Sequence, residues 1–376
     1  MLTISILCGF LPTFLLSPFA GVWADRYHRK LLVGLSDAVI ALATLILALF
    51  FLFGYGSLWL LFVISGIRAM GAAVQVPAVG AMLPQLVPAE QLTRINAINS
   101  TIQSFVALVS PVASAALLSA ASLEVIFFVD VFTAAVAIAI LFLFVHVPVH
   151  AKALQDATDG YWTDLKKGIR YIRERAYARI YFLFVAVFLV MSAPAAFLTP
   201  LQVARSFGDD IWRLTAIEIA FSTGMIVGGS LLAVWGGFQN KVHTMTLSCL
   251  LLGLCTFSLG VVPNFWIYLF FMWVTGIALP FFNTPSMVLL QENVEEDFLG
   301  RVFGIYSMLS SSMMPLGMLV FGPLADVVEI EWLLVGTGLF VGIQALFLLN
   351  SKALLEAGKP KTAPHRVKPA RDDASQ

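Results

Sequence analysis

Six polar side chains in this 376-residue sequence stand inside long apolar runs: Arg68, Asp37, Asp130, Glu218, Gln75 and Gln103. A carboxyl group in apolar surroundings is the type that can take up and release protons near neutral pH. An Arg in the same setting costs about 2.5 kcal/mol or more and normally faces a cavity or an acid. Arg68 lies about eleven residues into its run, which is about 16 Å at the helical rise, and Gln75 follows on the same helical face. The competing reading of Arg68 is a structural ion pair that locks two helices. Glu218 shares a face with Thr215, Ser222 and Gly229, as a water-lined wall would. Asp130 sits about two turns inside its run. Asp37 is near the end of its own, where pairing with loop bases competes. Gln103 belongs to a polar stripe with Asn96, Asn99, Ser110 and Ser114, for which close packing of helices is an equally good account.

The elements that carry these residues must be membrane helices. Hydrophobic residues make up 60% of the chain and charged residues 12%, against roughly 25% charged in a soluble globular protein. The mean hydropathy is +0.91. Runs of about 20 apolar residues cross a bilayer as helices, because every backbone polar group must be satisfied within the segment. Eleven such spans are expected, near 2–21, 32–53, 58–83, 94–118, 123–146, 180–202, 212–235, 242–262, 265–290, 301–322 and 332–350. All but three of the 22 Lys and Arg residues then fall in loops on one side of the membrane. The exceptions are Arg205 and Arg213 outside and Arg68 within a span. The positive-inside rule therefore puts Met1 outside and Gln376 in the cytoplasm. Cys8, Cys249 and Cys255 lie in apolar runs and read as buried thiols. No metal-ligand spacing, Walker loop, nucleophile elbow or dinucleotide fingerprint occurs, which removes the usual enzyme and ATP-driven classes.

One loop organises the rest: Gly21-Val22-Trp23-Ala24-Asp25-Arg26-Tyr27-His28-Arg29-Lys30. A Gly permits close approach of two helices, and Asp25 can accept from a helix N-terminus or pair with an Arg. The pattern G-x-x-x-D-R-x-x-R-K resembles the signature loop of the major facilitator superfamily of transporters. Gly9-Phe10-Leu11-Pro12, Leu86-Val87-Pro88-Ala89-Glu90-Gln91-Leu92, Ile217-Glu218-Ile219 with Gly224-Met225, and Gly300-Arg301-Val302-Phe303 extend the likeness to its macrolide-efflux and siderophore-exporter branch. The resemblance implies an all-α integral membrane fold in two pseudo-symmetric halves, here five spans plus six. In the family this loop follows the second helix and here it follows the first, so the family's first helix is expected to be missing, through truncation or a misplaced start. An internal repeat agrees with two halves: Ser65-Gly66-Ile67 with Thr275-Gly276-Ile277, Pro77-Ala78 with Pro285-Ser286, and Val87-x-x-Glu90-x-Leu92-x-Arg94 with Val294-x-x-Asp297-x-Leu299-x-Arg301.

The chain divides into an N-terminal half at 1–147, a cytoplasmic linker at 148–179, a C-terminal half at 180–350 and a disordered tail at 351–376. In the linker, Trp162, Leu165, Ile169 and Ile172 recur at helical spacing opposite Lys166, Lys167, Arg170 and Arg173, as in an amphipathic helix on an anionic leaflet.

The resemblance further implies a secondary exporter of amphipathic small molecules, exchanged for protons by alternating access. Arg68, Glu218, Asp130, Asp37, Gln75 and Gln103 would serve coupling or the substrate cavity. Gly21, Asp25, Arg26, Arg29 and Arg301 would form a conformational latch, with Asp25 docking near Gly300 and Arg301. Ser110-Pro111-Val112-Ala113-Ser114-Ala115 falls where exporters carry a Gly-Pro-x-x-Gly-Gly run, but with Ser and Ala in place of Gly. No cofactor is expected beyond the proton gradient, and no catalytic residue, metal or nucleic acid. The partners would be substrate, protons and membrane lipids, around a monomer in the inner or plasma membrane. A siderophore or lipid exporter, or a truncated protein that does not transport, are the alternatives.

Overall fold

The computed structural model describes residues 2–120, 122–147, 161–208 and 210–360, and among these every regular element is helical. The long helices of the first part are α1 (Leu2–Arg26), α2 (Arg29–Leu52), α3 (Leu58–Leu86), α4 (Ala89–Ala120) and α5 (Leu123–Phe144). A shorter α6 (Tyr161–Glu174) leads to α7 (Ala176–Phe197) and α8 (Thr199–Ser206). The series closes with α9 (Ile211–Trp235), α10 (Lys241–Val261), α11 (Phe265–Asn293), α12 (Leu299–Leu324), α13 (Ile330–Asn350) and α14 (Lys352–Ala357). Nine of the described helical segments are long and apolar enough to cross a membrane. The other two of the eleven expected spans, α1 and α4, are 25 and 32 residues long and pack in the same bundle.

The repeat is visible as geometry. Both α3 and α11 have 29 residues, and each begins at a polar cap: the Ser57 hydroxyl accepts from the Leu60 amide, and the Asn264 side chain from those of Trp266 and Ile267. Each also ends at an extended Val, Val87 and Val294, whose amide bonds the carbonyl four residues back. Helix starts at Leu58 and Phe265, and at Leu123 and Ile330, share one offset. That offset lays α1–α5 on α9–α13 and leaves α7 as the C-terminal half's additional helix. The Ser65-Gly66 and Thr275-Gly276 pairing falls three residues out of this register, nearly one helical turn, and is a coincidence of simple composition.

Three further expectations need correction. The span expected at 180–202 is two helices, because Pro200 at the start of α8 has no amide to continue the ladder of α7. Helix α7 begins at Ala176, so the linker gives way to the second half earlier than 179. The segment after Ser351 is not all disordered: α14 buries Leu354. Its C-terminal carbonyls are taken up by the second half. Asn240 Nδ2 donates to Leu355 O, Asn293 Nδ2 to Ala357 O and the Lys241 amide to Gly358 O, at 2.8, 2.9 and 3.0 Å. The expected tail from 361 onward, like the linker from 148 to 160, lies outside the described residues.

The C-terminal half has the denser core. Phe184, Phe188 and Phe282 stack together, and Tyr181 shares a short hydrogen bond with Ser286, 2.5 Å long. Helices α10 and α13 touch backbone to backbone: a Cβ on Gly253 would meet the Gly342 amide at 2.7 Å and the Gly338 carbonyl at 2.8 Å. Gly253→Leu is therefore expected to lower stability by about 1–3 kcal/mol through overpacking. Gly336→Ala, which opens onto free space on the facing helix α13, should leave the thermal unfolding midpoint of the detergent-solubilised protein near that of the native chain.

Candidate functional site

The opening loop lies where the two halves meet. Phe298, which precedes α12, gives that helix no side-chain cap, so its first amides need acceptors from elsewhere. Asp25, at the end of α1 in the other half, supplies them. The Gly300 amide donates to Asp25 Oδ1 at 2.6 Å and the Arg301 amide to Oδ2 at 3.0 Å. A carboxylate there also lies against the positive end of the α12 dipole. The approach depends on Gly21. A Cβ on it would run into the Gly300 carbonyl, and a Cβ on Gly304 would lie 2.8 Å from Gly21 Cα.

Arg29 and Arg301 are both buried beside this carboxylate. Arg29 lies 3.8 Å from Asp25 and uses its guanidinium to gather three chain segments. It donates to Ala24 O (3.2 Å), to Ala81 O on α3 (2.8 Å) and to Glu296 O in the turn before α12 (2.9 Å). Arg301 sits between two acids, 3.5 Å from Asp25 and 3.2 Å from Asp164, with the Phe298 ring beneath it. Asp164 is 2% exposed and belongs to α6. It also accepts from Arg26 Nε at 2.7 Å, so one linker carboxylate joins α1 of the first half to α12 of the second. Sequence reasoning missed Asp164. Its signal was an acid among the bases of an otherwise amphipathic helix. Its capture by two Arg residues gives α6 a packed side that the sequence reading lacked, and at 3.6 residues per turn Lys166 and Arg173 stand within about 40° of Trp162, not opposite it as expected. The packed side is Asp164, Gly168 and Tyr171, while Trp162 and Ile169 point outward.

Two more contacts cross between the halves at this end. Asn96 of α4 donates to Gln291 of α11 at 2.8 Å, and Gln85 of α3 to Glu296. Asn96, the first member of the α4 polar stripe, is thus an inter-half contact, in line with the packing account of that stripe.

Of the residues expected in the membrane interior, the structure brings four together in pairs. Arg68 of α3 pairs with Asp130 of α5 and donates to Thr44 of α2, at 2.7 and 2.6 Å. Both side chains remain open, 41% and 45% exposed. Two turns further along the same face of α3, Gln75 donates to Asp37 of α2 at 2.5 Å, so Asp37 pairs with a neutral amide and not with loop bases. Glu218 is exposed on α9 and Gln103 on α4, neither joined to the Arg68 pair. The face expected to line water around Glu218 is wet only in part: Thr215 and Glu218 are exposed, but Ser222 is buried and Gly229 packs against Thr101 of α4. The side chains of Pro111, Val112, Ser114 and Ala115 lie outside the described residues. Among those described, no group of His, Cys, Asp and Glu could hold a metal ion.

The charged cluster generates a direct expectation. Asp25→Ala strips the acceptor from two helix-end amides and leaves Arg29 and Arg301 with less compensation, a loss of about 3–5 kcal/mol by analogy with broken buried pairs. Arg94 occupies the repeat position of Arg301 but is exposed, so Arg94→Ala should change stability by no more than about 0.5 kcal/mol. Thermal unfolding of the two purified variants side by side measures both.

Comparison with known proteins agrees with the architecture. A family model described as Major Facilitator Superfamily matches residues 1–318 and again 196–372. Macrolide efflux protein A of Enterococcus faecalis is 30% identical over 320 residues, covering 85% of this chain and 98% of that protein. Macrolide efflux protein A of Streptococcus pyogenes is 29% identical over 346 residues, covering 91% and 85%. The crystal structure of the human organic anion transporter MFSD10 (TETRAN) superposes with a TM-score of 0.79 at 15% identity, over 92% of this chain and 83% of that one. This multi-pass helical membrane protein belongs to the Major Facilitator Superfamily of transporters.

Proposed function

We propose that this protein exports amphipathic small molecules of the macrolide type, driven by protons that enter as substrate leaves, by alternating access. The observation that carries the reading is the Asp25 cluster. Inter-half contacts gather at one end of the bundle, and they consist of groups that can separate as a unit: two carboxylates, two amides and three guanidiniums. Closed here, the halves are free to part at the opposite end. Basic loops cluster on the closed side, which supports reading it as cytoplasmic. The likeness to macrolide efflux proteins supports the direction and the substrate class.

Coupling would fall to the Arg68–Asp130 pair. Arg68 and Asp130 stand 2.7 Å apart in the arrangement closed at the charged end, and the proposed cycle would part them. Because both side chains are open, the pair can be reached by water or substrate. Glu218 is a second carboxyl exposed on the other half. The apolar character of the spans suits ligands recognised by shape and burial more than by fixed hydrogen bonds.

Efflux of a fluorescent macrolide from intact cells tests the reading. Export by the native chain should collapse when a protonophore is added. Arg68→Ala and Asp130→Asn should each abolish protonophore-sensitive export while the proteins still reach the membrane. Export that persists through both the protonophore and Arg68→Ala would overturn proton coupling.

A further inference from the structure

At the charged end, α1 presents Phe19, Trp23 and Tyr27 at four-residue spacing, hence on one face. Trp162 of α6 stands edge-on to Phe19, with ring centroids 5.1 Å apart at 84°. These four aromatic side chains line a cleft of about 500 Å³, within the range of about 300–1,000 Å³ found for small-ligand pockets. Its mouth is on the outside of the bundle, where Trp162 is 67% and Tyr27 48% exposed. Trp and Tyr favour the interface between membrane and water, because each has an apolar body and a polar tip.

Basic side chains flank the cleft on α6. Lys166 is one turn beyond Trp162 on the same side of the helix, and Arg173 lies two turns further along. Both are exposed. Arg170 is exposed too, but it donates to Glu174 at 2.5 Å, and that bond raises its pKa. Its charge is therefore partly offset, and Lys166 and Arg173 carry most of the attraction. The opposite side of the same helix is fastened to the charged cluster: Asp164 to Arg26 and Arg301, Gly168 against Arg301, and Tyr171 stacked on Phe298 at 4.5 Å.

We propose that this cleft binds an anionic phospholipid. Its acyl chain lies along Phe19, Trp23, Tyr27 and Trp162. Lys166 faces its phosphate, and Arg173 attracts the neighbouring headgroups. An aromatic cleft alone would accept any acyl chain; the exposed bases beside it select a negatively charged headgroup. A lipid seated here braces α6 from outside and, through Asp164, the closed arrangement of α1 and α12. The inference rests on the charged end facing a lipid leaflet, as in the transport reading above, but its test does not depend on transport.

The full chain is reconstituted in phosphatidylcholine vesicles that contain a minor fraction of either phosphatidylglycerol or phosphatidylcholine with brominated chains. Tryptophan fluorescence reports contact with the brominated chains. Brominated phosphatidylglycerol should quench more strongly, and Trp23→Phe combined with Trp162→Phe should remove most of that excess. Lys166→Gln should weaken the preference about fivefold, the worth of one basic residue near an anionic surface. Lys166→Arg, which keeps the charge, should retain it. Equal quenching by the two brominated lipids in the native chain would overturn the proposal. So would a preference unchanged in the Trp23→Phe, Trp162→Phe double variant or in Lys166→Gln. A chain that fails to export macrolide can still give every one of these readings.

Discussion

A carboxylate from one half of the molecule caps a helix of the other half, and the arrangement of the charged end follows from that contact. Asp25 satisfies two amides that α12 cannot satisfy itself, and it draws Arg29 and Arg301 into a space from which water is excluded. Neither base could stay there unaccompanied, because a buried charge without a partner is costly. Each is therefore held by further groups. For Arg29 these are carbonyls from three segments, and for Arg301 a second carboxylate, Asp164, that comes from the linker. The linker is thereby part of the inter-half contact as well as a strap between halves.

Much of this was legible in the sequence because membranes impose few solutions. Apolar runs of fixed length can only be helices, and the bases sort them by side. The helical class came from those constraints, and the two-part repeat from matched short motifs and the family resemblance. The signature loop pointed at Asp25 and its neighbours, since an acid and clustered bases between two apolar runs have few uses. Tertiary detail was less accessible. Nothing local marks Asp164 as the residue two Arg side chains converge on, because Arg26 and Arg301 are far away in the chain. Periodicity placed Trp162 and Ile169 on an apolar face of α6, but could not tell that the helix packs through its acid. The composition after Ser351 looked unstructured, yet α14 is ordered by donors on α10 and α11 that a reading of the segment alone cannot supply. Likewise, Asp37 could have met loop bases; only packing of α2 on α3 brings it to Gln75.

Charge in the membrane interior is handled differently in the two halves. In the first, Arg68 and Asp130 neutralise each other and leave both side chains accessible. In the second, Glu218 stands exposed, and the polar groups deeper in that half, such as Tyr181 with Ser286 and Tyr268 with Gln202, are closed off in neutral hydrogen bonds. The C-terminal half is the more rigid body by this measure, with its aromatic stack and its glycine-lined helix crossings.

The repeat relates the α1–α12 seam to the α4–α9 seam, and the two are not alike. Where the first has Asp25 and buried Arg301, the second has buried Leu232 and exposed Arg94, and it crosses at Gly229 against Thr101. Parting the first seam must rehydrate a cluster of ions; the second can slide or tilt with no such penalty. In the proposed cycle the first seam would serve as a bolt and the second as a plain hinge. On that reading headgroup chemistry would act on the bolt, and side-chain volume on the hinge.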